Sequence, residues 1–454
     1  MSVRGKLVAS VVALTVSAFA VGGAHAQSIA QALTSAYDYA PDLQSALLNA
    51  KASAENVALA EAGKRPTIGA SLSGSYDWTV ANRTLSDSNS LTAGLRYNQT
   101  IFDNGQTDAD IESARALAEA AEYQIRTAEQ TVLLAVVQAY MNVYSGRQLV
   151  ALRQENRNFY SAQLQSSNDR LDVGEGTRID VAQAEARLAS GDAAYRAAVS
   201  SLEISQATFQ RYVGQAPQNL DPSHNFGRLL PASLPAAIAA AEVDHPALLA
   251  SKASIRAAQA ASDGAKAAFG PSASISGSVG STLVNTAKGT SDSLSGALGF
   301  QISVPIYSGG AIGAGVRKAN IQQIKSEVDA LSAYDQIREA VISAWAGIQS
   351  ADAQISAANS AVSAGRTVVD GVIQERDLGT STTLDVLNAQ AELTSARETL
   401  ITASTNKVIA TFSLLAAMGH LTAADLGLNV EVKSAVRYAK AVDDVWAELR
   451  TVSE

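Results

Sequence analysis

The chain of 454 residues is informative first in what it lacks. It has no cysteine, which excludes a disulfide framework and a lipid-modified N-terminal cysteine. No proline lies between Pro66 and Pro217 and none follows Pro305, so two very long stretches lack the residue that breaks helices. Aromatic residues make up only 5%, and the 47% apolar content is largely alanine. This composition favours long, closely approaching helices over one compact core.

Residues that carry chemistry are also scarce. Beyond residue 26 the histidines are His224, His245 and His420, far apart in the sequence, and there is no His-Glu-x-x-His or Gly-x-Ser-x-Gly motif. An enzyme is therefore the least supported class, and we expect no metal site and no cofactor. The formal net charge of −9, without a basic cluster, argues against a nucleic-acid partner.

The first 26 residues have the pattern of a secretory signal peptide. Arg4 and Lys6 form a basic region, residues 7–21 are apolar, and residues 24–26 (Ala-His-Ala) form a small-x-small cleavage site. The mature chain is then expected to begin at Gln27. No later stretch approaches the ~20 consecutive apolar residues of a membrane helix, so we expect no helical membrane anchor.

Residues 41 to 214 recur at a constant offset, since 246 − 41 = 205 and the same difference separates every matched pair. The pairs are Pro41 and Pro246, Pro66 and Pro271, Gly105 and Gly310, Gly174 and Gly379, Asp180 and Asp385, and Gly214 and Gly419. We interpret this as a duplicated structural unit rather than a solenoid of short repeats. The predicted divisions are a signal peptide (1–26), a first repeat (27–216), a proline-rich linker (217–235), a second repeat (236–429) and a C-terminal segment (430–454).

Each repeat contains two stretches in which apolar and polar residues alternate, as in β-strands. The predicted strands cover about 67–78 and 91–101, then about 272–283 and 294–306, with polar loops at 79–90 and 284–293. Strands of ~9 to 11 residues with one apolar face, tipped by Tyr76 and Trp78 as membrane-interface aromatics, fit a membrane β-barrel. A half-buried soluble sheet has the same pattern, so the strands alone leave both open.

A long helical hairpin follows each strand pair, at 105–213 and 310–418. From Gly105 to Leu171 the first helix would span ~100 Å at about 1.5 Å per residue. Small and apolar residues recur along it at spacings of three and four, which is a heptad seam: Ile111, Ala114, Ala118, Ala121, Ile125, Ala128, Val132, Ala135 and Ala139. The pattern predicts a coiled-coil tube wall. An ordinary amphipathic bundle would explain the seam but not this length beside short strands.

Matched motifs mark the points where strands pass into helices. The exit residues are Phe102 and Gly105 in the first repeat and Pro305, Tyr307 and Gly310 in the second. Proline cannot donate to a sheet ladder and glycine permits positive φ, so both suit a strand-to-helix exit.

The hairpin tips are matched in the same way. The tip residues are Val173 and Gly174 in the first repeat and Leu378, Gly379 and Thr380 in the second. Thr177 and Thr382 are predicted N-caps, with Asp180 and Asp385 at the third helical position in a capping-box-like arrangement.

With these motifs, the duplication and the signal peptide together, the chain resembles the TolC-like outer-membrane efflux proteins over essentially its whole mature length. The resemblance implies a mixed α and β membrane protein built from a duplicated helix-strand-strand-long helix-helix unit. It implies a homotrimer whose strands form one twelve-stranded barrel in outer-membrane lipid, continued into the periplasm by an α-helical coiled-coil barrel. Residues 430–454 would contribute to an equatorial belt around the helices.

The same resemblance implies a function and partners. The chain would be the outer-membrane exit duct of a tripartite export machine, passively conducting proteins or small toxic compounds. A periplasmic adaptor, which meets the hairpin tips in this family, and an inner-membrane ABC or proton-driven pump would supply the cargo. The identity of the cargo cannot be inferred, because function resides in the partners as much as in the duct.

The chain departs from the family pattern at the periplasmic entrance. Well-studied members hold it closed with a tyrosine, an arginine and two aspartates one helical turn apart. Here Arg376 stands at the tyrosine position, Ser381 at the arginine position and Asn388 at the second aspartate position. We therefore expect a different closing network around a ring of Asp385 carboxylates. The expected constriction residues are Arg178, Asp180, Arg376, Asp385 and Asn388.

Two other non-enzymatic classes fit parts of the pattern. A periplasmic adaptor also has a long helical hairpin, but it normally carries one hairpin inserted in a split β-domain. This chain has two matched hairpins and two strand pairs. A purely structural coiled-coil envelope protein would not need alternating strands.

Overall fold

The computed structural model describes residues 27–286 and 289–442, which form a mixed α and β fold that is mostly helical. The first half contains β1 (Gln27–Ser28), α1 (Ile29–Tyr39), α2 (Pro41–Ala62), β2 (Thr67–Ala81), β3 (Thr84–Phe102), α3 (Gln106–Asp172) and α4 (Arg178–Val213). After β4 (Leu220–Asp221) and a short 3₁₀ turn (Phe226–Leu229), the second half contains α5 (Leu234–Asp244), α6 (Pro246–Ala267), β5 (Ser272–Thr286), β6 (Gly289–Ser303), α7 (Ala311–Asp377) and α8 (Thr383–Ala417).

The two halves have matched element boundaries. The long helices α3 and α7 each have 67 residues and begin 311 − 106 = 205 residues apart. The same difference separates the first residues of α1 and α5, which lie before the stretch where the sequence offset was read (234 − 29 = 205). A last short helix, α9 (Val436–Val442), belongs to the predicted C-terminal segment. The predicted signal peptide (1–26) and residues 443–454 lie outside the described residues.

Four strands form one antiparallel sheet in the order β2-β3-β5-β6. The predicted strand bounds were wrong, because most of the predicted polar loop 79–90 is strand and the chain reverses at Asn82 and Arg83, whose φ values are 51° and 63°. Positive φ at both central residues is typical of a tight hairpin turn. Serine and threonine fit a strand that is polar on one face, and the Ser75 and Ser90 hydroxyls lie 2.8 Å apart across the ladder. Likewise β6 begins at Gly289 and ends at Ser303, before Pro305.

The long helices define the order of the helical layer. Helices α2 and α4 pack on α3, whereas α6 and α8 pack on both α3 and α7. The helices therefore form one wall with α2 and α4 at one side and α7 at the other. By length and composition alone, α8 is the one helix of the described residues that could cross a membrane. Its contacts with α3 and α7 explain its apolar residues as part of this wall.

The predicted seam of α3 is largely buried, and Ile125 and Val132 are almost fully enclosed. A second set of α3 residues is buried as well: Ala116, Ala120, Leu133, Val136, Val137 and Tyr140. Because helices pack on both sides of α3, it needs two apolar faces, which a single heptad seam does not predict. The close approach of α4 to α3 also depends on Gly191 of α4, where an added Cβ would lie 3.0 Å from the Tyr160 ring of α3.

The main hydrophobic core lies midway along the helices, where α1, the linker and the segment after α8 pack against the wall. Tyr37, Tyr140, Phe209 and Phe412 are fully buried there. The Tyr140 hydroxyl lies 2.5 Å from the Gln27 carbonyl oxygen and 2.7 Å from that of Asp221, at the parallel pairing of β1 with β4. The beginning of the described chain is thus tied to the linker between the halves.

We expect His245 to make the protein less stable in acid. Its ring Nδ1 accepts a hydrogen bond from the Ala247 backbone N–H at 3.2 Å and caps α6, and burial lowers the pKa of His245 from 6.5 to about 4. Because the unfolded chain binds the proton more readily, stability is lost as the pH falls from about 6.5 to about 4. His245→Asn keeps a capping side chain without this titration. Its melting temperature should fall less than that of the wild type over this interval, and an equal fall would contradict the assignment.

Candidate channel entrance and strand exits

Both hairpin tips are tight turns with glycine in the left-handed region. Gly174 has a φ of 83° and Gly379 a φ of 77°, and a Cβ added at either would meet nothing within 4 Å. The Gly174 N–H donates to the Leu171 carbonyl at 3.0 Å, and the Gly379 N–H donates to the Arg376 carbonyl at 2.9 Å. The glycines are therefore required by the turn, while open space surrounds them.

The tips also expose single apolar side chains. Val173 is 71% exposed and Leu378 is 81% exposed. Next to Leu378 and Gly379, the Thr380 hydroxyl donates to the Glu375 carbonyl at 3.0 Å and closes the turn. Each tip therefore presents one exposed apolar side chain beside accessible glycine backbone.

Both predicted capping boxes are present. The Asp180 carboxylate accepts from the Thr177 backbone N–H at 3.0 Å, and the Asp385 carboxylate accepts from that of Thr382 at 2.9 Å. The Ser381 hydroxyl also donates to Asp385 at 3.2 Å. The Thr382 hydroxyl and backbone N–H lower the pKa of the exposed Asp385 carboxyl below its usual range, so this group stays charged at neutral pH. No contact joins Asp180 to Asp385 within the described part of the chain.

Arg376 is packed inside the chain rather than displayed at the tip. It is only 8% exposed, and its guanidinium donates to the side chains of Gln163 on α3 and of Asp377. The Arg170 guanidinium approaches the Arg376 carbonyl at 3.4 Å, so the ends of α3 and α7 lie side by side. Arg178, in contrast, is exposed.

Polar contacts between the two hairpins continue above the tips. Asn388 accepts from the Arg187 guanidinium of α4 at 2.7 Å. Further up, the buried Asn156 amide oxygen accepts from Gln390 at 3.2 Å and from Thr394 at 3.1 Å. Sequence reasoning missed Asn156 and Gln163, although their separation of seven residues within a helical seam (163 − 156 = 7) was a usable signal.

The strand exits share a backbone turn, because Asn104 and Gly105 have positive φ like their equivalents in the second half, but their side-chain contacts differ. In the first, Asp103 accepts from the backbone N–H groups of Gly105 at 3.2 Å and Thr107 at 2.8 Å, and Gly105 has a φ of 85°. Asn104 donates to the Ala267 carbonyl at 3.0 Å, which ties this exit to the end of α6. In the second half, Gly309 and Gly310 take the positive φ values.

Apolar side chains are exposed at both ends of the sheet. Tyr76 and Trp78, near the hairpin turn, are 60% and 65% exposed. Near the helices the exposed side chains include Phe102, Val304, Ile306 and Tyr307. Pro305 follows β6 within this exposed group. Such exposure in a single chain indicates a surface that lipid or other chains cover.

Comparisons with known proteins match this architecture. The family model described as "Outer membrane efflux protein" matches residues 32–215 and, a second time, residues 237–420. The outer membrane efflux protein BepC of Brucella suis biovar 1 is 36% identical over 451 residues, which cover 98% of this chain and 97% of BepC. TolC of Escherichia coli is 26% identical over 438 residues, covering 93% and 88%. The crystal structure of the Campylobacter jejuni CmeC outer membrane channel has a TM-score of 0.75 at 17% identity, covering 91% and 89%.

The chain therefore belongs to the outer membrane efflux protein family. It is an outer-membrane exit duct. The expected family, location and channel function are confirmed, and the adaptor and structural coiled-coil alternatives are not needed.

Proposed function

We propose that three copies of the chain close head to tail into one duct, which passively conducts cargo delivered by a periplasmic adaptor and an inner-membrane ABC or proton-driven pump. The observation that carries this proposal is that the sheet and the helical layer are open at the same two sides. In the sheet, β2 and β6 are the edge strands, and each has one side without a paired strand within the described chain. In the helical layer, α2 and α4 end one side and α7 ends the other.

The exposed face of α7 supports closure by another copy. Apolar residues are exposed along it at spacings of three and four: Ile321, Ile324, Val328 and Leu331. Within the chain, α6 of the second half packs on α3 of the first half as well as on α7. By the matched element boundaries, α2 is the equivalent of α6 and α7 is the equivalent of α3. We therefore expect α2 of a second copy to pack on α7. Because each copy offers one open β2 side and one open β6 side, the assembly is a ring rather than a pair of facing surfaces.

The same matching predicts how strands pair between copies. Within the chain, Arg96 of β3 lies opposite Ser278 of β5. Their equivalents are Gln301 of β6 (96 + 205 = 301) and Ser73 of β2 (278 − 205 = 73). We therefore expect Gln301 of one copy to lie opposite Ser73 of the next. The two matches to the family model also support reading 27–216 and 236–429 as a duplicated unit around the linker 217–235.

A closed barrel suits the faces of the sheet. One face carries Ile68, Leu72, Leu95 and Leu298, all well exposed in the single chain, while the other is rich in serine and threonine. Strands in lipid must have every backbone group paired, because each unpaired group costs several kcal/mol. Four strands per chain cannot achieve this alone. Eight strands from two copies would be allowed, but the family resemblance favours three copies and twelve strands.

The oligomeric state tests this proposal. Native mass spectrometry of the protein extracted in detergent should show a trimer, because both open sides are then covered by equivalent surfaces. Leu331→Asp on the exposed face of α7 should reduce the trimer fraction, since it places a charge at the expected contact with the next copy. The matched control is Leu117→Asp on α3, which is also exposed. A stable monomer or dimer of the wild type would overturn the proposal.

A further inference from the structure

One arginine stands out on the polar face of the sheet. Cross-strand pairing places Arg96 level with Gly69 of β2 and Ser278 of β5, so its side chain lies on the serine- and threonine-rich face. Asp77 is on the same face, eight residues further along β2 than Gly69 (77 − 69 = 8), and it pairs with Ser88. Among the described strand residues on this face, Arg96 and Asp77 carry the charges and the rest are neutral.

The surroundings of Arg96 leave its guanidinium accessible. It borders a shallow depression of about 370 Å³ whose lining includes Asn98, Ser276 and Ser278. The next strand contributes only Ala297 and Gly299 on this face, opposite Ser278 and Ser276. No acidic side chain forms an ion pair with Arg96 in the part of the chain that the structure describes. A guanidinium, two hydroxyls and an amide thus border one open space.

The position of Arg96 along the strand fixes its depth in the barrel. Its partner Gly69 is the third residue of β2, which follows α2 closely, so Arg96 lies at the end of the sheet next to the helices. The equivalent residue of the second half is the neutral Gln301 (96 + 205 = 301), also on the polar face. A trimer would therefore carry three arginines alternating with three glutamines at one level of the lumen.

We propose that Arg96 forms a basic ring at the junction of barrel and helical tunnel, which binds carboxylate, sulfate or phosphate groups of solutes in the duct. A guanidinium forms paired charge-assisted hydrogen bonds with such groups, and the neighbouring serine hydroxyls and asparagine amide add donors. Rings of arginine or lysine select anions in other pores. This ring lies apart from the acidic residues at the hairpin tips. The inference rests on the proposed trimeric barrel.

The equivalent positions 96 and 301 of the two halves suggest a pair of matched variants. Arg96→Gln copies the residue already present at 301, so the sheet should accept it. Gln301→Arg adds a second arginine at the same level. Arg83→Gln, at the hairpin turn, removes one positive charge per chain outside this face and serves as the control.

The experiment is block of single-channel current by tripolyphosphate added on the barrel side of trimers in planar bilayers. We expect the half-blocking concentration to rise about tenfold or more in Arg96→Gln, because a charged hydrogen-bond partner is lost. It should fall in Gln301→Arg and stay unchanged in Arg83→Gln. Equal block of the wild type and Arg96→Gln would overturn the ring. If Arg96→Gln does not assemble, Gln301→Arg is the deciding variant. A half-blocking concentration equal to that of the wild type in Gln301→Arg would then overturn the ring. Absence of any trimer or conductance in the wild type would instead overturn the proposed duct.

Discussion

Gly379→Trp should abolish export while leaving trimers in the outer membrane. The glycine has a φ of 77° and open space around its Cα, next to the exposed Leu378. A tryptophan would therefore cover the tip surface on which we propose that the adaptor packs. We expect export to fall to background in cells that carry the cognate pump and adaptor, measured as cargo released to the medium.

Gly379→Ala separates docking from turn formation. Alanine carries the same backbone strain at positive φ, about 1 kcal/mol, but adds almost no bulk. Its export should stay close to that of the wild type, and a compensating change in the adaptor's tip should restore export to Gly379→Trp. Loss of trimers in both variants would show that the glycine serves only the turn. Gly174 in the first tip should behave in the same way.

Asp385→Asn should strongly weaken cation selectivity in planar bilayers. We propose that three Asp385 carboxylates surround the narrowest part of the entrance, where a ring of negative charge attracts cations. In the single chain the Thr382 hydroxyl and backbone N–H hold the pKa of the Asp385 carboxyl below its usual range, so each chain contributes a charged carboxylate at neutral pH. Because the ring of negative charge is removed, the reversal potential in a salt gradient should move toward zero. For the same reason, block by divalent cations should weaken several-fold.

Two matched changes distinguish the charge from the cap. Asparagine at position 385 can still accept from Thr382, so Asp385→Asn should assemble normally. Thr382→Ala removes the reciprocal partner, should cost about 1 kcal/mol of helix stability, and should leave selectivity intact. Unchanged selectivity in Asp385→Asn would remove Asp385 from the constriction and leave it a helix cap only.

Local sequence signals predicted much of the helical wall. Proline spacing, the heptad seam and the capping threonines Thr177 and Thr382 each follow from short-range chemistry that the structure bears out. The double burial of α3 was missed because it depends on which helices lie on both of its sides. The strand ends were missed because hydroxyl residues are equally compatible with loops and with strands that have one polar face.

The entrance shows the limit of reasoning from single positions. The sequence places Arg376 among the expected constriction residues, but its side chain is buried against Gln163, which is 213 residues away. Gln163 is a neighbour of Arg376 only because α3 packs beside α7. Arg96 lies between the apolar Leu95 and Tyr97, so alternation along the strand is enough to put it on the polar face. Its isolation among neutral side chains became apparent only from the cross-strand pairing.

Cross-linking Ser73→Cys to Gln301→Cys tests head-to-tail closure most directly. The natural chain has no cysteine, so any disulfide must join the two introduced residues. Directly opposite strand residues have Cα atoms about 4.5 to 5.5 Å apart, within the range that a disulfide bridges. The control pairs Gln301→Cys with Leu72→Cys, which faces the opposite side of β2. We predict a covalent trimer on a denaturing, non-reducing gel for the first pair and monomer for the control. Monomer for both pairs would contradict closure of the barrel by β6 and β2 of neighbouring copies.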